Sequence, residues 1–131
     1  MQNGSNNKVE GNVNVVDGSG NKVKANSSNI SGSMNEAIGN NLKIEGSNNL
    51  LKGNDSTIIG GNNTLIGYNH TVVGNNNELS GLTNKINGQF NKVGGDNNTV
   101  NGNVNTVYGQ VNSVDGNINK VYGDNNGVKG N

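Results

Sequence analysis

The sequence predicts an all-β fold: a two-sided β-roll, or β-solenoid, of about nine fourteen-residue coils, as one domain spanning residues 1–131. Three observations lead there: an unbroken seven-residue period, one aliphatic position in every period, and an excess of Gly and Asn. From Gly4 to Lys129 the chain divides into eighteen heptads of consensus G-x-x-N-x-V-x, with no insertion or deletion. The first position is Gly in seventeen heptads and Ala25 in the other. The fourth is Asn in fourteen, the exceptions being Ser28, Leu42, Ser56 and His70. The sixth is aliphatic in all eighteen, from Val9 to Val128.

The strand comes first. The positions N-x-V alternate inward, outward, inward, which is the period of a β-strand. The corner follows, because G-x-x supplies a tight bend in which Gly reaches φ > 0 without steric cost. A coiled coil is excluded. It needs two apolar positions per heptad and good helix formers, and Gly costs about 1 kcal/mol against Ala in a helix interior. One such strand cannot bury its aliphatic side chain alone, so repeats must stack. Two heptads make a flattened coil of fourteen residues, and three would make a triangular prism. Two fits better, because one Asn and one Val per strand fill only a thin cross-section. Apolar burial at roughly 1.5–3 kcal/mol per side chain cannot offset backbone ordering at about 1–2 kcal/mol per residue. The rest has to come from rung-to-rung backbone hydrogen bonds and an internal ladder of Asn amides. The fourth-position Asn column is therefore a structural feature, and His70 takes the place of one amide within it.

Composition narrows the function. Asn (34) and Gly (22) exceed 40% of the chain, while Val, Ile, Leu and Phe number 30. Nine Lys balance nine acidic residues and Arg is absent, which argues against nucleic acid as a partner, since phosphate affinity needs clustered cations. Cys is absent and His occurs once. That leaves no thiolate nucleophile, no Cys or His metal site and no imidazole pair for acid–base work. No G-K-[S/T] follows any Gly-rich stretch, and no apolar run reaches membrane-spanning length. The expectation is a non-enzyme without cofactor or metal, bound to neither nucleic acid nor membrane.

The outward positions are the fifth and seventh of each heptad. Alternate heptads fall on opposite faces. One face carries Lys8, Lys22, Glu36, Leu50, Thr64, Glu78, Lys92, Thr106 and Lys120 at the fifth position. The other carries Val15, Asn29, Lys43, Thr57, Thr71, Lys85, Thr99, Ser113 and Gly127. This second face is flatter and less charged. At its centre Thr57 pairs with Ile59 and Thr71 with Val73, each pair roughly 6.6 Å apart along its strand. β-Branched side chains are stiff at χ1. A flat array of their hydroxyls and methyls can hold surface water in a fixed pattern, and such a pattern can merge with an ice plane if the spacings agree. A plain solvated β-face has the same residue types.

The repeat x-x-N-x-V-x-G, in stretches such as Gly60-Gly61-Asn62-Asn63-Thr64-Leu65-Ile66-Gly67 and Gly95-Asp96-Asn97-Asn98-Thr99-Val100-Asn101-Gly102, resembles that of the grass ice-recrystallisation-inhibition proteins of the perennial ryegrass antifreeze type. The match covers nearly the whole chain. The resemblance implies a left-handed β-roll with a Val core, inward Asn and one flat ice-adsorbing face. The ice-facing slots would then be Thr57, Ile59, Thr71, Val73, Thr99, Asn101 and Ser113. The partner would be ice or ordered water, the chain a monomer, and the setting extracellular, although no signal peptide opens the sequence at Met1-Gln2-Asn3-Gly4-Ser5. The family's outward slots are mostly Thr, Ser and Val; here Lys43, Glu45 and Lys85 interrupt that face.

A competing class is a structural or adhesive module. Thr57-Ile58-Ile59-Gly60 and Val72-Val73-Gly74 are similar to head repeats of trimeric autotransporter adhesins, whose outward aliphatics pack three rolls together. Phe90, Val104 and Ile118 lie fourteen apart and form one corner column, with Tyr108 and Tyr122 stacked on the adjoining face. Exposed columns of this kind can meet a partner or a glycan.

Overall fold

The computed structural model describes residues 1–131 and consists of strands and turns. Nineteen short strands form two parallel sheets. Sheet A has ten strands, from Gln2–Asn3 through Thr57–Ile59 and Thr71–Val73 to Gly127–Lys129. Sheet B has nine, from Lys8–Glu10 through Thr64–Tyr68 to Lys120–Tyr122. The chain alternates between them at every heptad. Neighbouring strands pair fourteen residues apart, as in Thr57 with Thr71 and Leu65 with Leu79. That register selects two heptads per coil over three.

The sixth-position aliphatics point inward from both sheets. They are buried from Val16 to Val121, joined in one core by Ala25 and Leu42, with Val9 and Val128 partly buried against it. Each strand buries its middle residue and turns its neighbours outward, the alternation that the pleat requires. Eighty-four backbone–backbone hydrogen bonds tie the coils together.

The corners contain a conformation beyond the Gly bend. The Gly requirement itself is steric as well as torsional. At Gly60, with φ 134°, a Cβ would stand 1.9 Å from the Gly74 carbonyl oxygen of the next coil. Ala25 escapes this because its backbone is not left-handed, and the strand Lys22–Asn26 runs straight through it. In addition, the third residue of each heptad is left-handed. Seventeen non-Gly residues in this column have φ between 54° and 61°. Asn and Asp tolerate that region, which accounts for Asn48, Asn62, Asn76 and Asp55. Val13, Thr83, Val104, Val111 and Ile118 occupy it too, at a strain of about 1–3 kcal/mol each.

The fourth-position amides form two ladders, one at each corner. On the corner from sheet A into sheet B the column is all Asn. Asn63 donates its backbone N–H and its Nδ2 to Asn49 Oδ1 at 2.9 and 3.1 Å, and its Nδ2 also donates to the Gly74 carbonyl at 2.8 Å. The pattern repeats at Asn77, Asn91 and Asn105. On the returning corner the ladder is interrupted by Ser28, Leu42, Ser56 and His70. Ser28 Oγ still accepts from Leu42 N–H at 3.0 Å, and Ser56 Oγ from His70 N–H at 3.1 Å. His70 Nδ1 accepts from Asn84 N–H at 3.3 Å, and Nε2 lies 3.4 Å from the Ile66 carbonyl. An imidazole that accepts at Nδ1 and donates at Nε2 is in its neutral form. No buried side-chain nitrogen or oxygen lacks a partner.

Candidate functional site

The outer face of sheet A is built by register alone. Each strand Thr57–Ile59, Thr71–Val73, Lys85–Asn87, Thr99–Asn101 and Ser113–Asp115 buries its central aliphatic and presents two flanking side chains. Parallel pairing sets these flanks in two columns. One runs Thr57, Thr71, Lys85, Thr99, Ser113, and the other Ile59, Val73, Asn87, Asn101, Asp115. Rungs are about 4.8 Å apart along the roll.

All seven residues singled out in the sequence sit on this face. Thr57 pairs in register with Thr71 on the next rung, and Ile59 with Val73. Thr99 and Asn101 neighbour Ser113 and Asp115. The two groups are not contiguous, because the rung of Lys85 and Asn87 lies between them. Ile59 and Val73 keep 39% and 41% of their surface, so their methyls remain open to water while their stems are pinned by the sheet.

Charge bounds the face on its N-terminal side. Lys43 and Glu45 sit on the same strand and form an ion pair at 3.0 Å. Lys85 is in no ion pair, unlike Lys8, Lys22, Lys24, Lys43 and Lys92. Lys43 and Lys85 share a heptad slot, and what separates them is two residues on: Glu45 follows Lys43 on its strand, where Asn87 follows Lys85.

Sheet B presents a more charged surface. Lys22 stands 2.9 Å from Glu36, and its hydrogen bond and charge hold that carboxyl below the usual range. Glu78, 3.2 Å from Lys92, holds the ammonium above its ordinary value. Tyr108 and Tyr122 stack with ring centroids 5.9 Å apart and planes at 14°. Phe90, Val104 and Ile118 are exposed on the corner. No three His, Cys, Asp or Glu side chains gather where a metal ion could be held. His70 is buried in the returning corner directly before Thr71, and burial pushes its imidazole below the ordinary range.

What the face of sheet A offers is therefore geometric. It holds stiff hydroxyls, methyls and amides at fixed intervals on a support that cannot repack. A family model described as grass antifreeze beta roll matches residues 37–130. No curated protein matches the chain. Among solved structures, LpxA from Acinetobacter baumannii is similar at 17% identity and a TM-score of 0.39. That similarity covers 94% of this chain but only 63% of that one.

Proposed function

The chain belongs to the grass antifreeze β-roll family, and from that premise we propose that it binds ice through the outer face of sheet A. The observation that carries the choice of face is the pairing of Thr57 and Ile59 over Thr71 and Val73 in exact parallel register. Ice is a lattice of water, and a protein surface joins it only by holding first-layer water near lattice positions. Flexible side chains would lose rotamer freedom on doing so. Thr, Val and Ile have little such freedom to lose, and the core beneath them, Ile58 and Val72, is fully buried. Sheet B supports the same choice from the other side, since Lys8, Lys22 and Lys24 crowd its N-terminal half and Tyr108 and Tyr122 its C-terminal half. Thr99, Asn101 and Ser113 extend the proposed face.

Adsorbed at a grain boundary, such a face pins the boundary and slows recrystallisation. We read this action as extracellular and performed by a monomer. No helix is long and apolar enough to cross a membrane.

Thr71→Tyr tests the site. A phenol ring at the centre of the array holds water off the face without touching the core. The expectation is that wild-type protein keeps grains small in annealed polycrystalline ice, while the variant coarsens as buffer does. Retention of wild-type grain size by T71Y, with its far-UV spectrum unchanged, moves the site off sheet A.

A further inference from the structure

We propose that Lys85 divides the ice-binding face into two separate patches and so limits how strongly the chain holds ice. The inference rests on the reading of sheet A as that face. Lys85 pairs in register with Thr71 on one side and Thr99 on the other. Nothing else about its rung is irregular. Thr71 N–H bonds the Asn84 carbonyl at 3.0 Å, and Lys85 N–H bonds the Asn98 carbonyl at 2.8 Å. Val72, Ile86 and Val100 beneath are at most 1% exposed. The backbone lattice thus passes unbroken under the gap, and only the side chain interrupts the surface.

That side chain is a long stem ending in a strongly hydrated point charge. Lys43 is drawn along its strand to Glu45 at 3.0 Å; Lys85 has no ion-pair partner to draw it aside. When ice seats on Thr71 and Thr99 together, the ammonium must either surrender its water or stand inside the first ordered layer. Both oppose contact across the rung. Each patch therefore adsorbs with its neighbour poorly engaged. A Thr at this position would give five successive hydroxyl rungs, from Thr57 to Ser113.

The test compares Lys85→Thr, Lys85→Met and Thr71→Tyr with wild type by the concentration needed to stop grain growth. Lys92→Thr, the same change on sheet B, is the control. Joining the patches should lower the effective concentration of K85T roughly tenfold, as linked sites on one rigid body come to act together. K85M, which loses the charge and keeps the length, should fall between. K92T should match wild type. Wild-type behaviour of K85T alongside an inactive T71Y overturns the division by Lys85 and leaves the face standing. An active T71Y overturns the face, and the inference with it. An equal gain in K92T assigns the effect to net charge and overturns it also.

Discussion

The corner that leads from sheet A into sheet B and the corner that leads back are made from the same heptad, but they differ in their amide columns. The first is Asn at every level. The second reads Asn14, Ser28, Leu42, Ser56, His70, Asn84. In the first, each Oδ1 accepts twice and each Nδ2 donates twice, so every level is locked to the ones above and below. In the second, a Ser hydroxyl keeps the acceptor for the next backbone N–H while the amide's other bonds are given up, and the His70 imidazole keeps that acceptor together with one donor, toward the Ile66 carbonyl. Leu42 gives up even the acceptor, leaving the Ser56 N–H nothing from that side chain. The roll therefore tolerates loss of the side-chain ladder at one corner while the other is whole. The interrupted stretch also runs directly into Lys43, Thr57 and Thr71 of the proposed ice-binding face.

Exchanging residues between the two corners gives the largest effect. Asn77→Leu removes the acceptor of Asn91 N–H and Nδ2, at 3.0 and 3.1 Å, and the donor to the Gly88 carbonyl at 2.9 Å. Asn91 Nδ2 keeps the Gly102 carbonyl, so Asn91 N–H and the Gly88 carbonyl are the groups stranded; at about 1–3 kcal/mol for each, the loss should be at least about 2 kcal/mol, read from urea melts. A variant as stable as wild type would mean that the intact ladder is dispensable too.

Of the two amide columns, acid should act on the interrupted one, the column that contains a titratable side chain, His70. Burial lowers the folded pKa of His70 from its ordinary 6.5, against smaller opposing effects from the Ile66 and Gly81 carbonyls and the Asp96 carboxylate. The unfolded chain therefore binds the proton more readily. This contribution is complete above pH 6.5 and is lost as pH falls from there toward the folded value, at up to about 1.4 kcal/mol per pH unit. His70→Asn should flatten that part of the stability curve. An identical pH dependence in wild type and H70N would remove His70 as its source.

The smallest effect is expected from Leu42→Asn, the reverse of the first exchange. It forgoes about 2 kcal/mol of apolar burial and restores an acceptor for Ser56 N–H and a donor facing Gly53. With each new bond contributing about 1 kcal/mol, stability should stay within about 1 kcal/mol of wild type. A loss as large as that of N77L would mean that Leu42 is held by packing the ladder cannot replace.

Much of this was legible in the sequence. The period, the aliphatic slot and the Asn column predict the coil, the core and the ladder, because each depends on residue type at a fixed spacing. The exceptions at Ser28, Leu42, Ser56 and His70 were also visible, and sorting alternate heptads places all four on one corner. The left-handed third position was missed. Asn48, Asn62 and Asn76 signal it, but Phe90, Val104 and Ile118 in the same slot mask the preference. There the coil imposes a conformation that local propensity opposes. Likewise, Lys43 and Lys85 share a slot, and only the placement of Glu45 beside one of them separates a paired charge from a free one.

The fourteen-residue register also fixes how such a chain can change size. Excising fourteen residues shortens the rod by one storey and leaves every remaining side chain on its original side. Excising seven also leaves each surviving heptad well formed, but it turns everything downstream over, so that Thr99 and Ser113 would join Lys22 and Glu36. Growth and loss by whole storeys thus preserve the surface, while a half-storey slip exchanges front for back with the interior intact.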